Sequence, residues 1–180
     1  MKNSFPSVYT FLAFFFLLLV SVRPNVIQDS CDKAAKADPN INFDFCVASL
    51  EQNPKSKTAT STEELVPISI EIATSNATSI RSIISKLLEN KDLEKFTRSC
   101  LEDCSKLYTE AGSDLQSGGQ AFESKDYGTA HADISAALGA PESCEHGFKE
   151  KNGLVTPLTK ENNNFFQLTA IPLAFIIMVL

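Results

Sequence analysis

Tryptophan is absent from this 180-residue chain, and histidine occurs only twice. Without tryptophan there is no indole platform on which a sugar ring could stack. A histidine general base could be only His131 or His146, and there is neither a GxSxG nucleophile elbow nor a glycine-rich phosphate loop. The carboxylates are scattered along segments that read as helix surfaces, the usual solvated arrangement, so no catalytic residue is assigned. CxxC pairs and an HxxxH pair are also missing, and these are the spacings by which zinc ligands usually converge. Cys144 with His146, or Cys100 and Cys104 with His131, make no recognisable metal set. No metal and no cofactor is expected. Alternating β-branched runs bounded by tight turns are scarce, which argues against a sheet. No internal repeat or low-complexity stretch is present. The net charge of −6 argues against a nucleic-acid partner, which would require a basic face.

What is present begins with Lys2 and an apolar run from Val8 to Val20, followed by small residues near Ser21. This is the form of a secretory signal peptide, expected over residues 1–21. The run is well short of the roughly 20 residues that a spanning helix needs. Cleavage removes one lysine and no acid, which leaves about 160 residues, a normal size for one domain. Secretion into an oxidising compartment converts paired cysteines to disulfides. The five cysteines are Cys31, Cys46, Cys100, Cys104 and Cys144, so at least one thiol is left over. Five choices of odd thiol and three pairings of the rest give fifteen two-bridge arrangements. Cys31 and Cys46 read as a staple across a short polar hairpin. A Cys104–Cys144 bond would clamp neighbouring helices, and Cys100, one turn away, could replace Cys104.

Helical periodicity dominates the rest. Leu65, Ile68, Ile72, Ile80, Ile83 and Leu87 form one apolar stripe from Glu63 to Leu88, with Pro67 near its first turn. A second stripe runs from Asp92 to Phe122 through Leu93, Phe96, Cys100, Cys104, Leu107, Tyr108, Ala111 and Leu115, and is weakened by Gly118 and Gly119. The third starts after Asp126, a suitable N-cap, and passes through Tyr127, Ala130, Ile134, Ala137, Leu138, Cys144 and Phe148. Gly139 and Pro141 predict a kink or break within it. After a polar loop, Phe165 to Leu180 forms a last apolar segment interrupted by Pro172. It is too short for a comfortable membrane span and lacks the polar spacer of a GPI signal. A buried final bundle helix is the expectation, although one apolar stripe does not account for its nearly all-round apolarity. The chain therefore reads as all-α: a helical hairpin over residues 22–60, turning at Pro39 and Asn40, then an antiparallel four-helix bundle over residues 61–180. The sequon Asn76-Ala77-Thr78 falls within the first stripe, so a glycan on Asn76 would point at the core.

Taken in order, "CDKAAKADPNINFDFCVASLEQNPKSKTA", "CSKLYTEAGSDL", "AFESKDYGTA", "SAAL", "CEHGFKEKNGLVTPLTKEN" and "QLTAI" resemble the plant invertase inhibitor and pectin methylesterase inhibitor family. Within it they look similar to the branch labelled as invertase inhibitors, which includes a plane-tree pollen allergen. The resemblance covers the mature chain. It implies bridges Cys31–Cys46 and Cys104–Cys144, because "CSKLY" matches the context of the family's third cysteine, and it leaves Cys100 as a free thiol. It also implies a secreted, apoplastic inhibitor, not an enzyme, that occludes the cleft of a wall carbohydrate-acting enzyme in a 1:1 complex, with no membrane in the mature form. Known invertase inhibitors of the family insert a Pro-Lys-Phe motif at the start of the third bundle helix. Counted back from Cys144, those places hold Tyr127, Gly128 and Thr129 here. "SKDY" resembles the corresponding stretch of pectin methylesterase inhibitors, which makes Lys125, Asp126, Tyr127, Gly128 and Thr129 the candidate target contacts. Pectin methylesterase is therefore slightly favoured over acid invertase. A secreted helical bundle that holds an apolar ligand is the rival.

Overall fold

The computed structural model describes residues 25–151 and 154–180. The expected signal peptide, residues 1–21, lies outside them. Seven α-helices and one 3₁₀ turn, with no strand among the described residues, run α1 Val26–Ala37, α2 Phe43–Glu51, Pro54–Thr58 (3₁₀), α3 Thr62–Leu88, α4 Lys95–Glu123, α5 Tyr127–Leu138, α6 Ala140–Lys149 and α7 Thr159–Val179. Side-chain caps define most of the starts. Asn25, Asn42, Ser61, Glu94 and Asp126 each accept a backbone N–H from the first turn of the helix that follows. At Ser61 the cap is doubled, because the Glu64 carboxylate reaches back to the Thr60 N–H at 2.7 Å.

Helices α3, α4, the α5–α6 pair and α7 make the bundle. α3 packs between α4 and α7, while α5 and α6 lie against both α4 and α7. The break expected in the third bundle helix is real. Pro141 has no N–H to offer the Ala137 carbonyl, and the Gly139 N–H turns to Ala136 O at 3.1 Å, so α5 ends and α6 begins. By contrast, α4 runs through Gly118 and Gly119 without interruption. Gly118 is a packing device, since a Cβ there would lie 2.7 Å from Ile134 Cγ1 and 3.2 Å from the Ala130 carbonyl oxygen. Its missing side chain lets α4 and α5 approach closely.

The α3 stripe sits at a different phase from the expected one. Leu65, Ile68 and Ile80 are buried, but Ile72 is only half-buried and Ile83 is exposed. The inner seam instead runs through Val66, Ile70, Ala73, Ala77, Ile80 and Ile84. Ala77 faces Gly112 of α4, with 3.9 Å between its Cβ and a Cβ built on the glycine. Small residues on both helices allow closer approach than a facing pair of isoleucines would. Pro67 also lies deeper than expected, in the second turn of α3; the carbonyl it leaves without a helical donor belongs to exposed Glu63.

α7 begins at Thr159, six residues before the expected apolar segment. It is thus long and apolar enough to cross a membrane by length and composition. Within the fold it is a core helix: Phe165, Leu168, Ile171, Phe175 and Ile176 are buried. Much of its apolar surface has a structural cause, because α3, α5, α6 and the α1–α2 hairpin all pack against it, although Ile177 stays exposed. Gln167 of α7 clips the hairpin turn in place. Its Oε1 accepts the Asn42 N–H at 2.8 Å, its Nε2 donates to the Asn40 carbonyl, and Ile41 between them is buried.

Candidate functional site

The residues singled out in the sequence occupy one exposed corner, where α4 hands over to α5. α4 ends in a Schellman motif: the Asp126 N–H donates to Ala121 O and the Lys125 N–H to Phe122 O, each at 2.9 Å. This closure requires a left-handed residue, and Lys125 supplies it with φ 63°. Glycine is the usual occupant, because a side chain in that conformation costs about 1–2 kcal/mol. Asp126 then caps α5. Its Oδ1 accepts the Thr129 N–H at 3.1 Å and its Oδ2 the Thr129 hydroxyl at 2.8 Å. These two hydrogen bonds favour the ionised carboxylate and hold its pKa below the ordinary aspartate range.

Across the turn, the Phe122 and Tyr127 rings pack with centroids 5.4 Å apart and planes tilted by 56°. Phe122 is buried and Tyr127 half-buried, so Tyr127 anchors the corner, while Lys125, Asp126, Gly128 and Thr129 are exposed. A Cβ at Gly128 would meet nothing nearer than Asp126 Oδ1 at 3.8 Å. Nothing in the packing therefore demands glycine there. Sequence reasoning missed the part played by Phe122 and the left-handed turn at Lys125, since "ESKDY" contains no glycine to mark it.

A groove between α3 and α4 opens beside this corner. Its floor is Ile68, Ile70 and Leu115, and its rim reaches Glu123, two residues before Lys125. Gly119 opens it by withholding a side chain that would touch Ile70. Lys55 of the 3₁₀ turn is paired with Glu71 at 2.6 Å on the same rim.

The cysteines lie elsewhere. Cys31 and Cys46 are bridged within the hairpin with Cα atoms 5.8 Å apart, and Cys104 and Cys144 join α4 to α6 at 5.0 Å. Both metal combinations considered from the sequence would use a sulfur of the second bridge, which is no thiolate. No group of His, Cys, Asp and Glu able to hold a metal ion occurs among the described residues. Cys100 carries a free thiol that is 8% exposed, with its Sγ 3.5 Å from the Gly147 carbonyl oxygen. Burial, followed by the nearby Asp103 and Glu150 carboxylates, pushes its pKa up. Asn76 is half-buried in α3, and its Oδ1 is buried without a hydrogen-bond partner.

Residues 25–175 match the family model described as plant invertase/pectin methylesterase inhibitor. The chain is 41% identical over 174 residues to a Platanus acerifolia protein named "Putative invertase inhibitor", covering 97% of this chain and 96% of that one. It is 38% identical over 160 residues to "Pectinesterase inhibitor 12" of Arabidopsis thaliana, covering 89% and 91%. Among solved structures, a mutant form of an Arabidopsis pectin methylesterase inhibitor shares the fold with a TM-score of 0.67 at 18% identity, over 82% of this chain and 93% of that one. This chain belongs to the plant invertase/pectin methylesterase inhibitor family.

Proposed function

We propose that the protein is a secreted, non-catalytic inhibitor of a plant cell-wall pectin methylesterase, which it blocks by seating the α4–α5 corner and the adjoining bundle face over the enzyme's cleft in a 1:1 complex. Residues 1–21 are removed on secretion to the apoplast. The observation that carries the choice of target is the corner itself: Tyr127, Gly128 and Thr129 stand where the Pro-Lys-Phe of invertase inhibitors would be counted. Lys125 to Thr129 are the proposed contacts. The Cys104–Cys144 bridge between α4 and α6 and a tightly capped corner hold this surface before binding, so little conformational entropy is lost on docking.

A second reading, inhibition of acid invertase, is supported by the name of the Platanus relative at 41% identity. It would require this corner, or another face, to act without the motif. Side-by-side titration of the refolded, oxidised protein against both enzymes at mildly acid pH separates the two. Equimolar loss of methylesterase activity with invertase untouched is the expected result. Inhibition of invertase alone selects the second reading, and inertness toward both removes the inhibitor function.

A further inference from the structure

Lys125 is an exposed cation held in a conformation that disfavours every side chain, at a position where the Schellman closure would accept glycine without strain. A residue kept in such a region points to a local requirement for its side chain. Nothing among the described residues supplies that requirement. Among the described residues no carboxylate lies within ion-pair distance of its ammonium. Asp126, the adjacent carboxylate, commits one oxygen to the Thr129 N–H and the other to the Thr129 hydroxyl. Glu123 turns to the rim of the α3–α4 groove.

The backbone around Lys125 is fixed from both sides. Two Schellman hydrogen bonds hold it to α4, the Asp126 cap holds it to α5, and the Phe122–Tyr127 contact closes the turn beneath it. The backbone that carries the ammonium is therefore fixed, and the flexible lysine stem extends into solvent from a molecule whose net charge is −6. A lone positive charge at a pre-organised corner fits a partner of opposite charge and suits specificity more than general attraction.

We infer that Lys125 is the specificity-determining cation of the docking corner and that its partner is an acidic side chain at the mouth of the target enzyme's cleft. The inference rests on the inhibitor reading and names the chemistry of the contact. The left-handed backbone aims the lysine, and its charge supplies the recognition.

The test compares wild type with Lys125→Gly, Lys125→Met and Lys125→Arg, all oxidised, against whichever enzyme the wild type inhibits, at low and at raised salt. Lys125→Gly should raise the midpoint of thermal unfolding while weakening inhibition about tenfold, as expected for loss of one well-placed interfacial charge. Lys125→Met should weaken it similarly with no gain in stability, and Lys125→Arg should restore it. The salt dependence of the wild-type inhibition constant should flatten in the Gly and Met variants. If the wild type inhibits while Lys125→Gly and Lys125→Met titrate as it does, this inference is overturned and the inhibitor function stands. If the wild type inhibits neither enzyme, both fall together.

Discussion

The Tyr108 hydroxyl donates to Asn162 Oδ1 at 2.6 Å, a buried bond that joins α4 to α7 across 54 residues of chain. Asn162 Nδ2 passes the network on to Glu145 Oε1 of α6 at 2.8 Å, and the Phe165 ring meets the Tyr108 ring edge-on at 5.1 Å. Three bundle helices are registered by one amide. Tyr108→Phe should cost about 1–2 kcal/mol, because it leaves the Asn162 acceptor buried and unpaired. Asn162→Leu should cost more, since both the phenol and Glu145 lose their partner. Urea denaturation monitored by circular dichroism measures either, and an unchanged midpoint for Asn162→Leu would show the network to be idle.

The same tyrosine sets an alkaline limit. Burial, reinforced by Glu145 and Glu161, pushes its pKa well above the ordinary 10.0. An unfolded tyrosine ionises near that ordinary value while the folded one keeps its proton, so the unfolded state gains as pH rises beyond it. The contribution of Tyr108 to stability should be level from neutral pH to about 9 and fall above about 10. In Tyr108→Phe the fall should be shallower, which denaturant midpoints across that range would reveal.

At the α4–α5 interface the sign also runs against the ionised form. Burial first, then the Asp133 and Glu110 carboxylates, raise the Asp114 pKa above 3.8. The Ser117 hydroxyl donates to Asp133 Oδ2 at 2.5 Å across the same interface. A raised acid destabilises the fold once pH exceeds its unfolded value. Asp114→Asn should therefore raise the melting temperature near pH 7 and leave it unchanged near pH 3. Equal gains at both pH values would mean that ionisation of Asp114 is not the cause.

Two adjacent glycines should respond oppositely to alanine. Gly118→Ala drives a Cβ into Ile134 and the Ala130 carbonyl and should cost about 1–3 kcal/mol. At Gly119 the new Cβ would meet Ile70 Cγ2 at 3.5 Å, an ordinary contact, and helix propensity favours alanine by up to about 1 kcal/mol. Thermal unfolding of the two variants gives the comparison. A stabilised Gly118→Ala protein would contradict the close α4–α5 approach.

Loop length ranks the bridges. Cys104–Cys144 spans 40 residues and Cys31–Cys46 spans 15. Removal of each pair by Cys→Ala should cost about 4 and about 3 kcal/mol, respectively. Cys100 should resist a thiol reagent in the native protein and titrate as one equivalent after unfolding, because it is buried and its thiolate is disfavoured. Rapid native labelling would place it at the surface.

Local periodicity made the helices readable, and its failures are instructive. The α3 stripe was legible as a helix but not in phase, because Ile72 and Ile83 carry a stronger apolar signal than Ala73 and Ala77, which line the inner seam. The start of α7 was hidden by Asn162, Asn163 and Asn164, of which Asn162 is buried because Tyr108 and Glu145 satisfy its amide. The corner residues could be named from the family pattern and the Asp126 cap. The left-handed Lys125 could not, since its conformation follows from how α4 must end in order to meet α5.

The sequence by itself determined an all-helical hairpin and bundle, the break at Gly139 and Pro141, and, through the family pattern, which cysteines pair. Each rests on residues a few positions apart or on a quoted motif. Only the tertiary structure decided which face of α3 turns inward, why much of the apolar surface of α7 is buried, and that Lys125 stands on a fixed corner with no ion-pair partner among the described residues. Those outcomes depend on which small residues of one helix meet the side chains of another, and spacing along a single chain segment carries no record of its partner.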